Sequence, residues 1–146
     1  MTKALLFVTA LCTVSAVHAE DPENYIKYRQ AMMKAIAGHS GAASQIVRGK
    51  VSPDGALAMH ADALAKLTVD LPGLFPDGSD FGETKAKEEI WSKRPEFEKA
   101  ADDARKAAAA FDAAVKGGDA EKISAAYKDL GETCKGCHKE FRQKDD

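Results

Sequence analysis

Chemistry concentrates at the C-terminal end of the chain, in Cys134-Lys135-Gly136-Cys137-His138. C-x-x-C-H is the attachment signal for a c-type haem. The spacing has a physical basis. Positions three apart on a helix share a face, so both sulfurs can reach the two vinyl groups on one porphyrin edge. Each thiol adds across a vinyl to give a thioether. His138 directly follows Cys137 and offers a neutral imidazole nitrogen beneath the iron, as proximal ligand. Gly136 has no side chain to collide with the macrocycle.

Other uses of the motif fit less well. A C-x-x-C redox disulfide usually opens a helix in a βαβ setting, whereas these cysteines close an amphipathic helix in a chain without strand patterns. A structural zinc site wants four ligands at compact spacing, and His39 and His60 lie far along the chain. Each of these two histidines has a structural reading. His39, between Gly38 and Ser40, reads as a surface residue, and His60 as a partly buried, satisfied one.

The first residues read as a secretory signal. Lys3 supplies the positive start, Ala4 to Val17 is mostly apolar, and Val17-His18-Ala19 offers a cleavage site. The run is too short and too weakly apolar for a retained membrane span. Cleavage after Ala19 leaves 20–146 as the mature domain. It removes Cys12 and one positive charge, taking the formal net charge from −2 to −3. Cys134 and Cys137 are then the remaining cysteines, in an exported and oxidising compartment. With 21 basic residues against 23 acidic ones, nucleic acid is an unsuitable partner.

The mature domain reads as helices throughout. The first opens at Asp21-Pro22, a cap followed by a proline at the first helical position. It runs through Ile26, Met33, Ile36, Ala43 and Val47 and ends near Gly49. Ser52-Pro53 restarts a helix by the same signal, with Leu57, His60, Leu64, Leu67 and Leu71 as its stripe. Leu71 to Glu83 holds Pro72, Gly73, Pro76, Gly78 and Gly82, a turn-rich connection. Its length means that the second and third helices need not be antiparallel neighbours. The third helix starts near Pro95 and carries Phe97, Ala101, Ala104, Ala108, Phe111 and Val115. Gly117-Gly118 stops it and Asp119 caps the fourth, whose stripe is Ile123, Tyr127, Leu130, Cys134, Cys137 and Phe141. The fold class is all-α, an antiparallel four-helix bundle with a long crossover between helices 2 and 3.

A four-helix bundle with C-x-x-C-H near its C-terminus resembles the cytochrome c′ family. Tyr28-Arg29-Gln30-Ala31-Met32-Met33-Lys34 is similar to that family's first-helix signature. Thr84-Lys85-Ala86-Lys87 with Ile90-Trp91 is similar to its crossover, and Cys134 to His138 with Phe141-Arg142 to its last helix. The resemblance covers essentially the whole mature chain. It implies one covalently attached haem c, with haem contacts from Arg29, Gln30 and Thr84. Lys85 stands where the family often has an acidic residue. A guanidinium at Arg29 also suits a haem propionate on general grounds, as a planar fork.

The sixth iron position then decides function. Met33 lies four residues after Arg29, on the same helix face, while Met32 is rotated about one hundred degrees away. With Met33 as the distal ligand beside His138, the protein is a periplasmic single-electron carrier serving redox partner proteins. In the alternative, the iron is five-coordinate and NO or CO binds at the open distal side. Neither reading makes it an enzyme, because a peroxidase would want a polar distal acid–base pair where this chain offers Met32, Met33 and Ile36. The resemblance leaves monomer and homodimer open. Two basic runs flank the haem segment: Lys85, Lys87, Lys93 and Arg94, then Lys135, Lys139, Arg142 and Lys144. They suggest an acidic partner surface.

Overall fold

A computed structural model describes residues 21–144. The expected leader, residues 1–19, lies outside the described residues. Five helices follow in order: α1 (Pro22–Val47), α2 (Ala56–Leu67), a single turn α3 (Glu89–Ser92), α4 (Arg94–Gly117) and α5 (Ala120–Phe141). A 3-10 turn, Pro72–Leu74, lies between α2 and α3. The four long helices form the expected all-α bundle. No helix among the described residues is long and apolar enough to cross a membrane.

Capping chemistry sets most boundaries. The Asp21 carboxylate accepts from the Glu23 amide at 3.0 Å, and Pro22 opens α1. Asp119 does the same for α5, accepting from the amides of Glu121 and Lys122. Gly118, at φ 74°, terminates α4. Two boundaries depart from expectation, both of the second helix. It ends at Leu67, so that Leu71 belongs to the connection. It starts at Ala56 and not at Ser52-Pro53, because Gly55 sits at φ 68°. A left-handed residue cannot lie inside a right-handed helix, so α2 begins after it.

Adjacent helices run antiparallel around the ring α1–α2–α4–α5. Phe97 meets Phe141 and Phe111 meets Tyr127 across α4 and α5. Ser40 meets Tyr127 across α1 and α5, while Met33 and Cys137 pack into one cluster nearer the other end. The end of α2, at Thr68 and Val69, lies beside Ala101, Asp102 and Arg105 of α4. The second and fourth helices are therefore antiparallel neighbours despite the long connection between them. Residues 68–93 do not travel the length of the bundle. They start and finish at the same end and cap it.

Two apolar clusters fill the interior. The one at the capped end gathers Leu71, Leu74, Phe75, Ile90, Phe97, Ala101, Ala104 and Phe141. The other holds Ala43, Ala61, Leu64, Ala108, Phe111 and Leu130. Alanines from α1, α2 and α4 in the second cluster are fully buried, so small side chains let these helices approach closely.

Gly41 interrupts α1 on an exposed face, and a Cβ there would meet nothing within 4 Å. Gly41→Ala should raise stability by about 0.5–1 kcal/mol. Thermal unfolding of the holoprotein checks this.

Candidate functional site: the capped end of the α1–α5 seam

The C-x-x-C-H motif occupies the last turns of α5. Cys134 and Cys137 are half-buried free thiols on one helix face. Cys137 packs against the cluster at the capped end, and Cys134 against the other cluster. Burial pushes the Cys134 thiol up. Burial, Cys134 and Glu140 push Cys137 up to about 11. Both shifts favour the protonated thiol over the thiolate. His138 presents an exposed edge to solvent. Partial desolvation, helped by nearby Arg142, holds its pKa below the ordinary value. It is the neutral imidazole, with a free lone pair, that binds a metal.

On the facing helix, Met32, Met33 and Ile36 are half-buried and pack against the same cluster as Cys137. Met32 packs there beside Met33 as a flanking core residue, because the cluster extends across more than one row of α1. No acid–base pair stands among these three side chains.

The crossover residues supply the remaining wall. Arg29 is buried, 3% exposed. Its Nη1 donates to Ser79 Oγ at 2.8 Å, and its Nη2 donates to Ser79 O and Thr84 Oγ1, both at 2.7 Å. The guanidinium lies over Phe75 at 5.0 Å and over Trp91 at 5.7 Å. Desolvation lowers its pKa, while Asp80 opposes that shift. Gln30 Nε2 donates to Glu83 O at 2.7 Å. The structure thus brings Arg29, Gln30 and Thr84 together, as a clamp between α1 and the crossover. Lys85 is exposed, and its carbonyl accepts from the Gln143 amide.

A second clamp joins the crossover to the end of α5. Ala86 bridges antiparallel to Arg142, and the Lys87 amide donates to Phe141 O at 3.0 Å. Lys87 Nζ donates to the carbonyls of Lys139 and Glu140, satisfying groups that a helix end leaves without partners. The two basic runs therefore meet in space, although not all their charges are free. Arg94 pairs with Glu98 and donates to the carbonyls of Phe75 and Pro72.

Sequence reasoning missed Ser79, Phe75 and the anchoring role of Trp91, whose Nε1 donates to Pro76 O at 3.1 Å. No local pattern marks Ser79. It also misplaced His39. This residue is half-buried, and its Nδ1 stands 3.0 Å from Nδ1 of His60. Both histidines occupy the apolar stripes of their helices, which was the available signal.

These residues fit a covalent haem. Two thiols share one face, a Cβ on Gly136 would meet nothing within 4 Å, and an imidazole follows. The incompletely buried apolar residues of α1, with Ala86 and Cys137, offer a non-polar wall. A cleft of about 150 Å³ lined by Thr68, Val69, Pro72, Glu98 and Arg105 contains none of them.

Fold and site thus define a bundle of the c-type cytochrome class. The sequence profile of the cytochrome C′ family matches residues 24–142. The cytochrome c′ of Pararhodospirillum photometricum is 40% identical over 123 residues, covering 84% of this chain and 98% of that protein. The crystal structure of cytochrome c′ from Rubrivivax gelatinosus superposes with a TM-score of 0.80 at 35% identity, covering 85% of this chain and 98% of that one. A nitric oxide complex of a cytochrome c prime variant from Alcaligenes xylosoxidans gives 0.79 at 31% identity, covering 86% and 98%. The chain belongs to the cytochrome c′ family, and its cofactor is one covalently attached haem c.

The clamp makes a prediction. Arg29→Lys removes the planar fork and leaves Ser79 and Thr84 oxygens short of donors. It should cost about 3 kcal/mol. Hydrogen exchange should rise through 79–87 before it rises in α4.

Proposed function

We propose that this protein is a periplasmic haem c protein that binds small diatomic gases, NO or CO, at an open sixth position. The observation that carries the reading is the half-buried apolar set Met32, Met33 and Ile36, which faces the cluster holding Cys137. It offers an apolar wall suited to a small uncharged ligand and no group to stabilise a charged one. The nitric oxide complex of the similar Alcaligenes protein supports it.

In this reading Cys134 and Cys137 hold the haem through thioethers and His138 binds the iron on the proximal side. When bound, haem supplies a redox-active iron with a site for a diatomic ligand. The chain's own work is positional. Arg29, with Ser79 and Thr84, fixes the crossover against α1, and Gln30 fixes it at Glu83. Lys87 holds the end of α5, and with it the turn bearing His138. Arg29 thus serves the site through the crossover, with its terminal nitrogens committed there. The domain is 20–146, exported through the leader 1–19.

A second reading rests on Met33 itself, which packs in the same cluster as Cys137. Its thioether would fill the sixth position and make the protein an electron carrier, since constant ligation favours transfer without rearrangement.

Absorption spectra separate the two. The gas-binding reading expects a high-spin ferric protein, rapid CO uptake by the ferrous form, and a high-spin spectrum retained in Met33→Ala. A low-spin wild type with a sulfur-to-iron charge-transfer band, slow CO uptake and conversion to high spin in Met33→Ala would establish the electron carrier instead.

Covalent attachment has its own test. Denatured protein from a periplasm with maturation machinery should retain the haem mass in mass spectrometry. Cys134→Ala or Cys137→Ala should leave one thioether or an unstable apoprotein.

A further inference from the structure

The half-buried pair His39 and His60 lies outside the haem site. His39 is in the middle of α1 and His60 in the first turns of α2. Their Nδ1 atoms are 3.0 Å apart, and their rings meet at 5.2 Å between centroids and 65° between planes. Two neutral imidazoles share one proton across such a contact, one nitrogen donating and the other accepting.

We propose that His39 and His60 form a two-imidazole site for a borderline divalent cation of the Zn2+ or Cu2+ kind. The geometry is close to that required. Two nitrogens at ~2.0–2.1 Å from a tetrahedral metal are about 3.3 Å apart, so the pair needs to open by only ~0.3 Å with a small rotation of the rings. The donor's Nδ1 proton moves to its own Nε2 through solvent, freeing both Nδ1 lone pairs without net proton release from the neutral pair.

The frame is already rigid. Ser40, next to His39, is pinned to α5: its carbonyl accepts from Tyr127 Oη at 2.8 Å, and the two hydroxyls lie 3.2 Å apart. No group of three or more His, Cys, Asp or Glu side chains placed to hold a metal occurs among the described residues. Water or another small ligand therefore completes the coordination shell, and the site is open rather than structural. Cu2+ should bind more tightly than Zn2+.

The test uses exported holoprotein in the ferric state, in which the motif cysteines and His138 are engaged by haem and Cu2+ is not consumed by electron transfer. Calorimetric titration with Zn2+ should show one site per chain. His39→Gln and His60→Gln should each weaken it at least tenfold, with the haem absorption spectrum unchanged as the check on folding. Equal affinity in all three proteins, or no binding at millimolar Zn2+, overturns the proposal. Electron paramagnetic resonance of one equivalent of Cu2+ on the wild type needs no variant. Coupling to two imidazole nitrogens supports the site, and coupling to one or none overturns it.

Discussion

A single buried cation organises the functional end of this bundle. Moving a guanidinium out of water costs several kcal/mol unless every lost hydration contact is replaced. Arg29 meets that demand with Ser79 Oγ, Ser79 O and Thr84 Oγ1, two aromatic faces and the charge of Asp80. These partners all lie on the crossover or its continuation into α3. The segment can fold in few other ways, because any displacement strands either the charge or the oxygens that receive it. From Phe75 the contact continues edge-to-face to Phe97 at 5.0 Å and on to Phe141 at 5.3 Å. One chain of contacts thus links α1, the crossover, α4 and the end of α5, within four residues of Cys137.

The antiparallel packing of α2 on α4 explains why the connection is long without being a diagonal. A tight turn would join two such neighbours and leave the bundle end open. Residues 68–93 instead fold over that end and touch all four long helices. Arg94 Nη1 and Nη2 hold the carbonyls of Phe75 and Pro72 from the α4 side, as Arg29 does from α1. Lys87 secures the α5 side. The extra residues serve as a cap, and the C-x-x-C-H segment lies beneath it.

The helices were legible because their stripes are regular and their caps chemically explicit. Phe97, Ala101, Ala104, Ala108 and Phe111 are all buried, as their spacing requires. The attachment motif was legible because its chemistry needs adjacent residues. Arg29, Gln30 and Thr84 were legible through family resemblance, Arg29 also through the fit of a guanidinium to a carboxylate, but their hydrogen bonds to the crossover were not. The path of residues 68–93 was not legible, since turn residues state where a helix stops and not where the chain goes next. Contacts fifty residues apart, such as Arg29 with Ser79, leave no periodic trace. His39 was misplaced because flanking glycine and serine suggested exposure, whereas its register, three residues after Ile36 and four before Ala43, puts it on the packed face.

The seam between α1 and α5 shows how the cofactor enters the fold's energetics. At one end Tyr127 Oη ties α5 to Ser40. At the other the crossover bridges the two helices through Arg29 and Lys87. Between these ties Met32, Met33, Ile36, Cys134 and Cys137 are only half-buried, apolar surface that the protein alone leaves partly wet. Burying it against a macrocycle gains about 25 cal/mol for each Å² removed from water. The haem is therefore a part of the core as well as a reactive group. Because thioethers make its presence permanent, that contribution does not depend on free cofactor concentration, unlike the stabilisation from a dissociable ligand. A seam tied at both ends, with half-buried apolar side chains between the ties, is the arrangement such a covalent core residue requires.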